Sequence, residues 1–87
     1  MFVILCYDIG IKRNARVKKI ARKYLRPVQK SVCEGFITEG KLRKMCDQLI
    51  SKIDPDEDSV VIYKLENKDN LLKLGLGQTA HTDDYIL

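Results

Sequence analysis

The chain has a single histidine, His81, among its 87 residues, three cysteines and no tryptophan. One histidine argues against a histidine-based metal cluster and against a Ser-His-Asp triad within one chain. Cys6, Cys33 and Cys46 are odd in number and lack C-x-x-C spacing, which argues against a disulfide or zinc framework. We therefore interpret them as small buried side chains of a protein in a reducing compartment.

Long hydrophobic runs are also missing. No apolar run approaches the roughly 18–20 residues that a membrane-spanning helix needs. The apolar run at the N-terminus has no basic region before it and no small-residue cleavage site after it, so it does not resemble a signal peptide. From these absences we predict a cytoplasmic protein that does not associate with membranes.

Acidic residues are absent from a long segment near the N-terminus. Between Ile9 and Cys33 there is no aspartate or glutamate, although the formal charge of the whole chain is only +4. The same segment has nine basic residues: Lys12, Arg13, Arg16, Lys18, Lys19, Arg22, Lys23, Arg26 and Lys30. Ordinary solvated surfaces mix both signs, so this segregation indicates a polyanionic partner, and we favour nucleic acid.

Residues 3–9 are almost entirely apolar and predict a strand buried on both faces, with one acid, Asp8, near its end. A carboxylate buried without a partner would be strongly unfavourable, so Asp8 must meet a cation, a metal ion or water. Two interpretations follow. Either Asp8 caps the next turn or pairs with Arg13 or Arg16, or it belongs to a functional site.

Apolar residues at helical spacing predict two amphipathic helices. The first carries its apolar stripe over residues 17–25 and ends before Pro27, and Asn14 is the nearest favourable N-cap residue. The second follows a candidate N-cap, Thr38, and carries its stripe over residues 42–53.

The remaining strands are predicted from alternation and β-branched residues. They cover residues 27–34, 36–37 and 59–65, with a short last strand at 84–87. Residues 71–77 contain two glycines and are too interrupted for us to predict an element.

The resulting order is β-α-β-β-α-β with a short extra C-terminal strand. It predicts an α+β, ferredoxin-like sandwich formed by a single domain, residues 1–87, with both helices on one face of the sheet. The acidic residues 54–58 are expected to form a solvated turn before the fourth strand. Because the first and fourth strands are apolar on both faces and helices cover only one, we predict a homodimer packed sheet to sheet.

Four functions are compatible with this fold. An RNA-recognition module stacks bases on aromatic residues of its sheet, and the short third strand offers only Phe36 and Ile37. A small-ligand regulatory domain needs no basic helix, and a plain dimerisation module leaves the charge segregation unexplained. A nucleic-acid-binding dimer with a carboxylate at its axis accounts for both features.

Several short motifs resemble the CRISPR-associated family Cas2, which contains the small partner of the spacer integrase. They are Tyr7-Asp8-Ile9, Arg16-Val17, Gln29-Lys30-Ser31-Val32 followed by Glu34, Asp58-Ser59-Val60 and Ile62-Tyr63. Their order and spacing are preserved to about Leu65. One position departs from the family's pattern, because Cys33 stands where Phe is common.

The resemblance implies a homodimer in which two Asp8 carboxylates approach each other and share one Mg²⁺, which takes few protein carboxylates and keeps several waters. Asp8 would then be both the metal ligand and the catalytic residue of a metal-dependent endonuclease, of endoribonuclease type, acting on RNA or double-stranded DNA. The resemblance also implies spacer acquisition in CRISPR adaptation, with the spacer integrase as a partner. Two alternatives stay open: a non-catalytic DNA-bridging scaffold for the integrase, and a plain ferredoxin-like dimerisation module.

Nucleic-acid binding is assigned to basic residues of the first helix that lie outside its apolar stripe, and to Arg26, which follows the helix. Arg13 and Arg16 are nearest to Asp8 in sequence and would neutralise a phosphate held at the metal. The others would contact backbone phosphates without reading base sequence. The full set is Lys12, Arg13, Arg16, Lys19, Arg22, Lys23 and Arg26.

Overall fold

Five antiparallel strands form one sheet in the computed structural model, which describes residues 1–67 and 70–78. Along the chain, the elements are β1 (Phe2–Asp8), α1 (Ile11–Tyr24), β2 (Arg26–Gln29), β3 (Val32–Phe36), α2 (Glu39–Ile50), β4 (Ser59–Asn67) and β5 (Asn70–Gly77). Across the sheet, the strand order is β2-β3-β1-β4-β5. This arrangement confirms the predicted α+β, ferredoxin-like fold.

The hydrophobic core lies between the two helices and one face of the sheet. Alternate residues of β1, namely Val3, Leu5 and Tyr7, are buried, as expected for a strand with a period of two. They belong to one apolar cluster with buried residues of both helices and of β4: Val17, Ile20, Ala21, Leu42, Met45, Leu49, Val60 and Ile62. The helices therefore cover the same face of the sheet.

The two helices begin in different ways. At the start of α2, Thr38 Oγ1 accepts a hydrogen bond from the backbone N–H of Lys41 at 3.2 Å, which confirms the predicted N-cap. Helix α1 begins at Ile11, earlier than Asn14 suggested, and its N-cap residue Gly10 has no side chain to cap it. In the part of the chain that the structure describes, no helix is long and apolar enough to cross a membrane.

The prediction of one strand over residues 27–34 is wrong. A turn at Lys30 and Ser31 divides this segment, so that Gln29 of β2 pairs with Val32 of β3. Strand β2 lies at the sheet edge and is exposed throughout, so burial imposes no alternation on its residues. Lys30 and Ser31 form a turn where the sequence predicted a continuous strand, and β3 continues to Phe36.

Residues 70–77 form β5, where the sequence predicted no element. Strand β5 pairs antiparallel with β4 from Ser59↔Gly77 to Asn67↔Asn70. Strand β4 supplies the hydrogen-bonding partners for β5, and this pairing outweighs the low strand propensity of glycine. Gly77 has φ 71°, and a Cβ there would collide with the backbone oxygen of Asp58. The short strand predicted at residues 84–87 lies outside the described residues.

The face of the sheet opposite the helices is largely apolar, and we call it the open face. From β1 it carries Phe2, Ile4 and Cys6, all half-buried, each in register with residues of β3 and β4. Phe36 is 81% exposed, and its ring meets that of Phe2 edge to face with centroids 5.1 Å apart. The open face has the character of an interface, and the homodimer stays a prediction.

Candidate metal and nucleic-acid site

Asp8 is the last residue of β1 and is exposed to solvent. It lies opposite Ser59, the first residue of β4, on the open face of the sheet. Only Ile9 and Gly10 separate it from α1. The strand therefore brings one carboxylate to the first turn of the basic helix.

The local roles that Asp8 might have played belong to another acid, Asp58. Asp58 Oδ1 accepts a hydrogen bond from the backbone N–H of Gly10 at 2.8 Å, at the start of α1. Arg13 donates from Nε to Asp58 Oδ2 at 2.6 Å and from Nη2 to Oδ1 at 3.1 Å. The interpretation in which Asp8 caps the turn or pairs with Arg13 or Arg16 is therefore wrong, because Asp8 makes none of these contacts with the described residues. The prediction of a solvated turn over residues 54–58 is also wrong at Asp58, which is fully buried.

An ionised carboxylate can be buried here because every oxygen has donors. The backbone N–H of Asp54 adds a hydrogen bond to Asp58 Oδ2 at 2.8 Å. The Arg13 guanidinium, helped by the N–H groups of Asp54 and Gly10, holds the pKa of Asp58 well below its usual range, although burial acts in the opposite direction. The same hydrogen bond raises the pKa of Arg13. Both side chains are therefore charged at neutral pH.

The Asp8 carboxylate, in contrast, has no hydrogen bond or ion pair with the described residues. Within the ranges 1–67 and 70–78, no group of three or more His, Cys, Asp and Glu side chains could hold a metal ion. Mg²⁺ is commonly bound through one or two carboxylates and keeps several waters. Asp8 could supply one carboxylate to such an ion, and it does not form a complete metal site with the other described residues of its chain.

Most of the predicted phosphate ligands are exposed on the surface of α1. They are Lys12, Arg16, Lys19, Arg22 and Lys23. At 1.5 Å per residue this row is about 16 Å long, roughly the axial length of five base pairs. A shallow depression of about 540 Å³ lies on the adjoining side of α1 and is lined by Lys19, Arg22 and Lys23 of this row, together with the 96% exposed Ile11. The geometry suits a phosphate backbone better than a small molecule.

The other two predicted ligands already have acidic partners. Arg26 Nη2 lies 3.4 Å from Glu34 Oε2, and the Arg26 side chain is still 77% exposed. Such a surface pair is weak and easily exchanged. Arg13 is different, because both Nε and Nη2 are directed at Asp58 and Nη2 also lies 3.0 Å from Glu57 Oε2.

Tyr7 and Cys33 lie on the core side of the sheet and do not share the open face with Asp8. Tyr7 is buried on the helix side of the sheet, where burial raises its pKa and its hydroxyl lies 3.5 Å from the carbonyl oxygen of Lys30. Cys33, at the position where Phe is common in the family it resembles, is buried in the core. His81 lies outside the described residues.

Asp58 is the residue that sequence reasoning missed. Its partners Gly10 and Arg13 lie 48 and 45 positions away, so no local pattern could reveal the contact. The only hint was the Asp58-Ser59-Val60 motif, which marked the position without indicating its role.

Comparison with known proteins agrees with these features. The family described as CRISPR associated protein Cas2 matches residues 1–71. A CRISPR-associated endoribonuclease Cas2 of Thermodesulfovibrio yellowstonii is 49% identical over 76 residues, covering 87% of this chain and 86% of its own. One of the same name from Thermotoga maritima is 45% identical over 78 residues, covering 87% and 90%. The crystal structure of Streptococcus pyogenes Cas2 superposes with a TM-score of 0.70 at 30% identity, covering 78% of this chain and 89% of that one.

Proposed function

This chain belongs to the Cas2 family of CRISPR-associated proteins, and from that premise we propose that it is a metal-dependent endoribonuclease whose active site includes Asp8. The observation that carries the proposal is an exposed carboxylate that has no partner among the described residues and lies next to the start of an acid-free helix. Two curated relatives at 49% and 45% identity bear the name endoribonuclease. The three cysteines are free thiols, which fits the reducing cytoplasm in which we place the protein.

The proposed site is completed by a second copy of the chain. The open face carries Ile4, Cys6 and Asp8 in one line along β1. When two open faces pack together, the apolar residues are buried and two Asp8 carboxylates meet near the dimer axis. Facing carboxylates repel each other unless a proton or cation lies between them, so the pair would favour a shared Mg²⁺.

In this proposal, Asp8 and the cations of α1 have separate roles. Asp8 would hold the metal ion, which would supply Lewis-acid chemistry for phosphodiester cleavage. The cations of α1 bind the flanking phosphates and fix the strand relative to Asp8. These contacts go to the backbone, so cleavage is expected to depend weakly on base sequence.

A second function is favoured by the sparseness of the site. One carboxylate per chain, with no metal-binding group of three or more His, Cys, Asp or Glu side chains in the described ranges, is a sparse site for phosphoryl transfer. The long basic surface of α1 is better equipped for binding. As a non-catalytic dimer, the protein would bridge double-stranded DNA to the spacer integrase during CRISPR adaptation.

The decisive experiment compares the wild type with Asp8→Asn, which keeps the size of the side chain and removes its charge. With a single-stranded RNA oligonucleotide and Mg²⁺, we expect Asp8→Asn to lower the cleavage rate by at least about 100-fold. Its affinity for the same RNA in EDTA should stay within about twofold, because phosphate binding is assigned to other residues.

Cleavage by Asp8→Asn at the wild-type rate would show that another site, or a contaminating nuclease, does the chemistry. Loss of cleavage together with normal spacer integration would identify the bridging role as the biological one. Repeating both assays with double-stranded DNA separates the two substrate classes.

A further inference from the structure

The buried carboxylate of Asp58 accepts hydrogen bonds from the turn between β1 and α1. Asp58 is fully buried and accepts hydrogen bonds from Gly10 at the start of α1 and from the Arg13 side chain in its first turn. Helix α1 has no capping side chain at its own N-cap position and no acid in its first turn. Asp58 therefore accepts from the backbone N–H of the N-cap residue, as the acid of a capping box does, but from a distant part of the chain.

The backbone of Asp58 is also hydrogen-bonded, both within its own loop and to the residue that follows β5. Its backbone N–H donates to the carbonyl oxygen of Asp54 at 2.8 Å, and its own carbonyl accepts from the N–H of Gln78 at 3.0 Å. The next residue, Ser59, pairs with Asp8 in the β1–β4 ladder. Asp58 thus ties the end of β1, the start of β4 and the end of β5 to the first turn of α1.

The Arg13 guanidinium passes directly over Gly10. A Cβ on Gly10 would lie 2.5 Å from Arg13 Nη2 and 3.5 Å from Asp58 Oδ1. The absence of a side chain at Gly10 is therefore what allows the Arg13–Asp58 pair to close over the turn. The guanidinium makes two hydrogen bonds to a buried acid and one to Glu57, and the Arg13 side chain is only 24% exposed.

We propose that Arg13 and Asp58 form a positioning pair, which fixes the Asp8 carboxylate relative to the phosphate-binding surface of α1, and that Arg13 does not contact nucleic acid. This rests on the proposed role of Asp8 as the metal ligand. Only Ile9 and Gly10 connect Asp8 to α1, so few backbone dihedrals set the relative position of carboxylate and cations. Released from Asp58, this turn gains freedom, and misplacement by about 1 Å can lower a rate about 100-fold.

The pair is tested with Arg13→Gln, Asp58→Asn and the double variant. We expect each single variant to lower kcat for a single-stranded RNA about 10- to 100-fold, the range found when groups that orient a ligand are removed. KM and the RNA dissociation constant in EDTA should change less than about twofold. The double variant should be no slower than the worse single variant, because the two residues act as one unit.

Two further variants keep the test decisive if Asp58→Asn folds poorly. Arg13→Lys preserves the positive charge, but its single ammonium group cannot replace the paired Nε and Nη2 donors of the guanidinium. We therefore expect its kcat to fall while its RNA affinity is kept. Asp56→Asn is the matched control, since Asp56 is an exposed acid of the same loop whose carboxylate makes no hydrogen bond in the described part of the chain. It should match the wild type in every assay.

Readouts without cleavage separate this proposal from the one on which it rests. Mn²⁺ binding, measured by calorimetry, should weaken about 10- to 100-fold in Arg13→Lys, and amide hydrogen exchange should accelerate at residues 9–13. If the wild type does not cleave RNA but these shifts occur, the nuclease function fails and the positioning pair stands. If Arg13→Gln raises the RNA dissociation constant several-fold while Asp58→Asn does not, or if Arg13→Lys retains wild-type kcat and Mn²⁺ affinity, the positioning pair is refuted.

Discussion

Asp8 and Asp58 lie at the same end of the paired strands β1 and β4, yet their surroundings differ in every respect. Asp58 is fully buried and its two oxygens accept four hydrogen bonds. Asp8 is exposed and no described residue neutralises it. The difference follows from position, because Asp58 lies beneath the α1 turn while Asp8 ends its strand on the open face. One acid is therefore suited to hold structure and the other to hold a ligand.

The low pKa of Asp58 predicts how the contribution of this residue to stability depends on pH. An acid whose pKa is lowered on folding stabilises the protein above its unfolded pKa, about 3.9 for Asp, and loses this effect as the pH falls towards the folded value. At about pH 7, Asp58→Asn should be less stable than the wild type by a few kcal/mol, since it leaves Arg13 without its buried partner. Thermal or urea unfolding should show this gap shrinking below about pH 4.

Asp56→Asn is the control for that experiment, because Asp56 is exposed in the same loop. Its stability should follow the wild type over the whole pH range. A gap for Asp58→Asn that stays constant from about pH 7 to pH 3 would mean that the charge on Asp58 is not what stabilises the fold.

At the scale of elements, the two helices bury similar apolar stripes and present very different outer surfaces. Helix α1 contains seven bases and no acid, whereas α2 contains three bases and two acids. The buried residues of both helices enter the same core, so packing does not explain the charge difference. The charge difference between the helices places a cationic surface on α1, beside Asp8, and not on α2.

This asymmetry predicts that nucleic-acid binding depends on α1 and not on the positive charge of the whole protein. Replacing Lys19, Arg22 and Lys23 by Gln should reduce the slope of log affinity against log salt for single-stranded RNA by about 2, since each lost phosphate contact is worth about 0.7. Affinity should be measured from about 50 to 200 mM salt.

The matched control removes the same charge from the other helix. Lys41, Arg43 and Lys44 of α2 are exposed, and their replacement by Gln should leave the salt slope within about 0.5 of the wild-type value. Equal losses from the two triple variants would show that binding follows net charge alone and that α1 is no specific surface.

At the scale of the whole molecule, the residues described by the structure cover the sheet on one face only. The opposite face exposes or half-exposes apolar side chains on three adjacent strands: Phe2, Ile4, Cys6, Val32, Phe36, Val61, Tyr63 and Leu65. A small domain has a limited core, and an apolar face of this kind is commonly closed by a second copy. The same contact would bring two Asp8 residues together.

A charge in the middle of the open face should therefore separate the two copies. We expect Ile4→Lys to sediment as a monomer at concentrations at which the wild type is a dimer, because the buried ammonium would have no partner. Metal-dependent cleavage should be lost in parallel. Ile50→Lys is the control, since Ile50 is 51% exposed on α2, on the other side of the sheet, and its replacement should leave the dimer intact. A dimeric Ile4→Lys would place the interface elsewhere.

Much of this arrangement follows from patterns that span only a few residues. The apolar stripes of both helices, the N-cap Thr38 and the presence of β1 agree with the structure because periodicity and capping are local properties. The prediction that β1 is buried on both faces is not met within one chain, where alternate residues are buried and the others are half-buried or exposed. The division of residues 27–34 into a hairpin and the formation of β5 were missed. An exposed edge strand and a glycine-containing strand carry little periodicity, and their structure depends on the strands with which they pair.

Local patterns in the sequence are sufficient for the two helices, the acid-free basic segment and the position of Asp8 at the end of the first strand, since each depends on neighbours along the chain. Which acid is buried depends on the tertiary fold. Arg13 was assigned to nucleic acid on its charge and its closeness to Asp8 in sequence, whereas folding directs its guanidinium at Asp58, 45 positions away. A buried ion pair is set by which distant segments meet, and this pairing leaves Asp8 as the acid that faces solvent.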